Sequence, residues 1–171
     1  LEQRVQSRAA DLQKLSEQRI FLAEVTTALD VSLDYKTALQ TVADMIVPKL
    51  ADWCLIDTSD RDRNNPYLVA AHIEPDKADL VKEMRRRYPL DTHSEADTFG
   101  QVLREGQSVL IPDVSETRLA ALSVDTEHLA FLRALGAASI ILVPITADKQ
   151  ILGTITLMIS TSGRRYTLED L

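Results

Sequence analysis

Hydrophobic and polar positions alternate along this chain with two different periods, and the changes of period divide it into elements. The first stretch, residues 1 to 29, has no Gly or Pro and is rich in Leu, Ala, Gln, Glu and Arg, so it reads as one long helix. Stepping alternately by four and three from Leu1 meets Val5, Arg8, Leu12, Leu15, Arg19, Leu22, Thr26 and Leu29. The apolar members of that set form the seam of a coiled coil or helical bundle, with Arg8, Arg19 and Thr26 as its faults. The same stripe also suits an amphipathic helix packed on its own domain. The two arrangements are compatible if Leu22 and Leu29 face the domain and the earlier residues face a second copy.

The segment from Asp30 to Asp34 breaks the pattern, and Asp34 is placed to cap a second helix from Tyr35 to about Val47, ended by Pro48. The period then shortens. Trp53 to Ile56 is a short apolar run of the kind found in buried strands, and Tyr67 to Ile73 is a second strand. The Asp-, Asn- and Arg-rich segment 57–66 joins them as a hairpin. Pro75 opens a third helix reaching about Tyr88, with Leu80, Val81, Met84 and Tyr88 on one side. A short helix over 97–105 closes at Gly106, Val109 to Ile111 is a brief strand, and 115–135 holds one or two helices closed by Gly136. Ser139 to Ile145 and Ile151 to Ile159 are strong strands across a short polar turn, hence an antiparallel hairpin. The order predicts an α+β domain: a central antiparallel sheet flanked by helices, preceded by a long N-terminal helix. The expected division is a helical, coiled-coil-like linker over 1–29 and a globular domain over 30–171.

Composition narrows the function classes. With 171 residues and a net charge of −7, the chain suits one domain with an appendage and lacks the basic footprint of a nucleic-acid binder. No apolar run approaches the roughly 20 residues of a membrane helix, and no secretory signal is visible. The single cysteine, Cys54, excludes an internal disulfide and points to a reducing, cytoplasmic setting. The absence of an initial Met and the helix-like pattern Tyr166 to Leu171 suggest a piece of a longer polypeptide.

Several motifs together resemble the GAF domain. Gly106-Gln-Ser-Val-Leu-Ile-Pro-Asp113 is similar to that family's turn, short strand and following Asp. Ser139 to Ile145 followed by Ile151-Leu-Gly-Thr-Ile-Thr-Leu157 resembles its last hairpin, and Arg164 to Leu171 the beginning of its closing helix. Ala51 to Asp57 and Arg86-Arg-Tyr-Pro89 look like a subgroup found in bacterial multi-domain sensor kinases and in serine phosphatases with sensory domains. The resemblance implies a non-catalytic regulatory module. Such a module binds a small molecule or a partner, pairs with another copy, and relays a change through its terminal helices to an effector of a two-component or similar protein. A purely structural dimerisation domain without ligand is the alternative.

Catalytic chemistry finds no support in the residues. The five glycines are scattered, there is no phosphate loop or nucleophile elbow, and any kinase or phosphatase activity would belong to the parent protein. Some relatives in this family reduce oxidised methionine with several cysteines; one cysteine cannot form the resolving disulfide. Cys54 is expected to be a buried core thiol. His72, His93 and His128 lack the spacing of a helical metal pair, so no metal site is expected. His72 is expected on the helix-covered side of the sheet, and His93 in solvent.

Candidate ligand-binding residues come from two helices and a strand. The basic patch Lys82 to Arg87 is mostly a solvated face, but at 100° per residue Arg87 falls about 20° beyond the apolar arc of its helix. Arg87 is therefore expected to reach between helix and sheet, while Arg85 and Arg86 are expected to point away. Asp125 to Leu132 resembles the helix on which phytochrome-like members carry a Cys-His pair beside their pigment. Here Glu127 stands at the cysteine position and His128 at the histidine position, so a covalent bilin is excluded and no cofactor is expected. Phe131, Leu132 and Leu135 follow His128 at helical spacings and turn it inward. There it would be either a core histidine bonded to a backbone carbonyl, or a polar group that orients a small anionic or heteroaromatic ligand with Arg87. Glu127 and His72 complete the candidate set. The expected partners are a second copy through the N-terminal helix and a small-molecule ligand, with neither nucleic acid nor membrane.

Overall fold

The computed structural model describes residues 2–31, 34–58, 67–89 and 98–171. His93 and the hairpin loop after Thr58 lie outside them. Two compact units are present, Leu1–Val42 and Ala43–Leu171.

In the first unit, α1 runs unbroken over Glu2–Val31. Its seam residues Leu12, Leu15 and Leu22 are 67%, 44% and 63% exposed, and Arg8, Arg19 and Thr26 are exposed with them. Leu1 and the side chains of Val5 and Leu29 are outside the described set. Asp34 caps α2 (Tyr35–Ile46) as expected, its Oδ2 accepting from the Thr37 N–H at 3.1 Å and the Thr37 hydroxyl at 2.6 Å.

The second unit is built on a five-stranded antiparallel sheet in the order β2-β1-β5-β4-β3. The strands are β1 (Trp53–Thr58), β2 (Tyr67–His72), β3 (Val109–Ile111), β4 (Ser139–Ala147) and β5 (Gln150–Ile159). β1 sits between β2 and β5, and Trp53, Cys54, Leu55 and Ile56 are all buried, so its continuous apolar run matches a strand covered on both faces. Asp148 and Lys149, both at positive φ, form the two-residue turn between β4 and β5. Gly153 on β5 lets β1 approach closely, since a Cβ there would run into the Asp57 carbonyl oxygen and lie 2.9 Å from Thr58 Cα.

Helices α3 (Ala78–Arg87), α4 (Thr98–Glu105) and α6 (Thr126–Leu135) supply the apolar cover of one sheet face, and α5 (Glu116–Leu122) packs on α6. Pro75 starts a single tight 3-10 turn, Pro75–Lys77, before α3. Gly106 and Gly136 take the left-handed conformation after α4 and α6, as their positions required. The core between sheet and helices contains Trp53, Leu55, Val81, Met84, Leu142 and Met158. On the opposite face Ile141, Ile159 and Tyr166 form a smaller cluster.

Buried Asp52 ties the two ends of this unit together. Its Oδ2 accepts three backbone N–H bonds, from Ser160, Thr161 and Ser162, at 2.8 to 2.9 Å. Burial pushes its carboxyl up, but those bonds outweigh burial and hold it below the ordinary range. Tyr166 adds a bond from its hydroxyl to the Leu50 carbonyl at 2.8 Å. At the end of the chain Thr167 and Asp170 form a capping box. The Thr167 N–H bonds Asp170 Oδ2 at 2.8 Å, and the Glu169 N–H bonds Thr167 Oγ1 at 3.3 Å. These bonds close a turn at Leu168 and Glu169, and no helix forms over residues 166–171.

Candidate functional site

Three of the four candidate residues meet where the C-terminus of α3 faces the N-terminus of α6, around a residue the sequence reading did not single out, Tyr88. Asp125 is the N-cap of α6, and its Oδ1 accepts from the His128 N–H at 2.7 Å. The Tyr88 hydroxyl lies 2.9 and 3.0 Å from the two oxygens of the same carboxylate and 3.4 Å from Glu127 Oε2. Burial and these two acidic neighbours push the Tyr88 phenol up to about 12. The His128 ring stacks on the Tyr88 ring with centroids 4.4 Å apart and an interplanar angle of 11°. Its Nδ1 accepts from the Val124 N–H at 3.2 Å. A backbone N–H thus satisfies this nitrogen, and the half-buried ring lines the α3–α6 seam.

Arg87 does not reach between helix and sheet. Its side chain is 41% exposed, and its guanidinium pairs with Glu83 on its own helix and Glu127 on α6. The Arg86 and Arg87 bonds push the Glu83 carboxyl down to about 2. The arginine that does reach the sheet is Arg85, expected to point away. Its Nε and Nη2 donate to the two oxygens of Asp57 on β1, each at 3.2 Å, with the side chains 15% and 14% exposed. Ala78 explains the error. It is buried with Val81 and Met84, and it widens the apolar arc on the side opposite Leu80, so Arg85 lies only about 20° from Ala78 on the wheel.

His72 is buried on β2, on the helix-covered face as expected, but away from the other three. Its ring packs on Trp53 with centroids 4.1 Å apart. Trp53 Nε1 donates to the Leu135 carbonyl at 3.1 Å, at the far end of α6, about 10 Å along the helix from His128. The Glu74 N–H donates to His72 Nδ1 at 2.9 Å. Burial, the largest influence, holds its pKa below the ordinary value.

The antiparallel register places further polar groups on the helix-covered face. Asp57 pairs with Thr154 and Leu55 with Thr156, so Asp57, Thr154 and Thr156 stand on the face that carries Trp53 and Met158. Both threonines are fully buried, and neither hydroxyl has a hydrogen-bond partner among the described residues. Each such hydroxyl costs roughly 1–3 kcal/mol. Burial pushes the Asp57 carboxyl up, and the charge and bonds of Arg85 offset only part of that. The signal that could have located these groups is parity: Asp57, Thr154 and Thr156 fall in phase with the core residues of their strands.

Among the described residues no three His, Cys, Asp or Glu side chains gather as a metal site, and no helix is long and apolar enough to cross a membrane. Cys54 is buried on β1, and burial, with a small contribution from Asp44, pushes its thiol up to about 12.

The sequence profile of the GAF domain matches residues 34–171, and the chain belongs to that family. Domains of this family serve in general as regulatory modules that sense ligands or dimerise, and they are typically non-catalytic. No curated protein sequence matches the chain. Among solved structures, the chain is similar to the GAF domain of a phosphoenolpyruvate-protein phosphotransferase from Coxiella burnetii. That likeness has 16% identity and a TM-score of 0.60 over 88% of this chain and 81% of that one. It is also similar to the nlh2 GAF domain of A. Aeolicus in an inactive state, at 17% identity and a TM-score of 0.55 over 92% and 84% of the two chains. A third is the free methionine-R-sulfoxide reductase from Neisseria meningitidis, at 18% identity and a TM-score of 0.52 over 85% and 75%. At these identities the likeness is one of fold.

Proposed function

We propose that the chain is a non-catalytic sensory module of a bacterial multi-domain signalling protein, of the two-component or a similar type. It pairs with a second copy through α1, senses a small molecule on the helix-covered face of its sheet, and relays the change through its terminal helices to an effector domain. The observation that carries this reading is α1 itself. It is a 30-residue helix with Leu12, Leu15 and Leu22 exposed along one heptad seam, and exposed leucines at that spacing bury themselves against a like helix. A paired helix also transmits small rotations or shifts of register between domains. Arg87, Glu127 and His128 are read as the rim of the sensing face, at the seam of α3 and α6, and His72 as part of its floor on β2.

Sedimentation equilibrium tests the pairing. The full chain is expected to have the mass of two copies, and a chain lacking residues 1–18 the mass of one. An unchanged mass after the deletion contradicts the reading.

A further inference from the structure

The buried polar groups on the helix-covered face of β1 and β5 are arranged more specifically than a structural role requires. Asp57 and Thr154 are direct cross-strand partners, as are Leu55 and Thr156, so one small area of β1 and β5 presents a carboxylate and two hydroxyls to the helices. Arg85 descends onto it from α3 with two 3.2 Å bonds to Asp57. Neither threonine hydroxyl is used by the fold among the described residues, although valine would fill the same space and suits a strand at least as well. Around these groups the face is apolar, with Leu55, Leu142 and Met158 on the sheet and Met84 on α3.

We propose that Arg85, Asp57, Thr154 and Thr156 form the floor of a binding site for an uncharged small molecule. The ligand would carry a hydrogen-bond donor and acceptor side by side on an otherwise apolar or heteroaromatic body, as a carboxamide does. The charge balance selects that class. An anion would have to take Arg85 from Asp57 and leave the carboxylate buried without its partner, and a cation would compete with Arg85 for Asp57. A neutral amide needs neither exchange. The hydroxyls can each donate or accept, and the rest of the ligand replaces water on an apolar surface.

The inference rests on the reading of the chain as a small-molecule sensor, and its test is separate from the test of pairing. Nicotinamide, nicotinate and benzamidine present one neutral, one anionic and one cationic group on similar rings. Each is titrated into the full chain while the isotope-labelled methyl signals of Thr154 and Thr156 are followed by NMR. Nicotinamide is expected to shift both signals saturably, and the charged probes to leave them in place. Thr154→Val and Thr156→Val keep the shape of the core and should unfold as cooperatively as the parent. Each is expected to weaken nicotinamide roughly tenfold or more, read at the remaining threonine. Saturable binding of nicotinate or benzamidine at these signals, nicotinamide binding unaffected by both valines, or no saturable shift up to the solubility limit would each overturn the site. Loss of the site with self-association intact leaves the pairing reading standing, and binding without self-association removes the relay through α1 but not the site.

Discussion

Arg85 of α3 and Asp57 of β1 form a two-pronged ion pair with both bonds at 3.2 Å, mostly withdrawn from solvent, pinning the helix to the sheet. Removing one partner of such a pair strands the other charge, which costs about 3–5 kcal/mol, whereas replacing both with apolar groups can be nearly neutral. Arg85→Met is therefore expected to lower stability by about that amount in urea unfolding, and adding Asp57→Leu to recover most of the loss. A loss in the double variant equal to the sum of the losses in Arg85→Met and Asp57→Leu alone would show that the pair is not coupled.

Asp52 gives the domain a defined acid sensitivity. Its folded carboxyl is held below the ordinary value because the bonds from Ser160, Thr161 and Ser162 outweigh its burial. A depressed carboxyl contributes stability above its unfolded pKa, about 3.9, and that contribution is lost as pH falls through the lower folded value. Asp52→Asn is expected to be less stable than the parent at neutral pH by about 1–3 kcal/mol. The gap should narrow below about pH 4. A pH-independent gap, measured by urea unfolding across that range, would assign the loss to packing alone.

Cys54 is expected to be chemically silent in the native chain. Burial on β1 pushes its thiol up to about 12, so almost no thiolate exists at neutral pH. Labelling by a thiol-reactive disulfide should be slow in buffer and become rapid and stoichiometric in denaturant. Fast labelling of the native chain, or methionine-sulfoxide reduction abolished by Cys54→Ser, would place a reactive thiol where the structure has a core residue.

The architecture was readable because its signals are local. The apolar run Trp53 to Ile56 marked a strand flanked on both sides, Asp34 and Gly136 marked helix ends, and the polar turn at Asp148 and Lys149 marked the last hairpin. The site was less readable because it depends on register and on helix phase. The wheel drawn through Leu80, Val81, Met84 and Tyr88 omitted Ala78, a small residue with a weak hydrophobic signal. That omission exchanged the roles of Arg85 and Arg87. Thr154 and Thr156 read as ordinary strand threonines until the pairing with Asp57 and Leu55 placed them on the helix-covered face. His128 was correctly placed on α6, yet its partner Tyr88 is 40 positions earlier, a contact that no periodicity within one element displays.

The pairing of α1 is the step on which the relay depends, and site-directed cross-linking measures it most directly. In a chain whose Cys54 is replaced by alanine, Leu12→Cys and Leu22→Cys each put one thiol on the exposed seam of α1. A parallel coiled coil brings each such cysteine beside its own counterpart, within the Cα separation of about 4.4–6.8 Å that a disulfide spans. Mild oxidation is expected to convert each variant into a covalent dimer, while cysteine at exposed Gln13, off the seam, stays monomeric on a non-reducing gel. If neither seam variant cross-links with itself, or if dimers form only when the Leu12→Cys and Leu22→Cys chains are mixed, α1 does not form the parallel pair and the relay through it is contradicted.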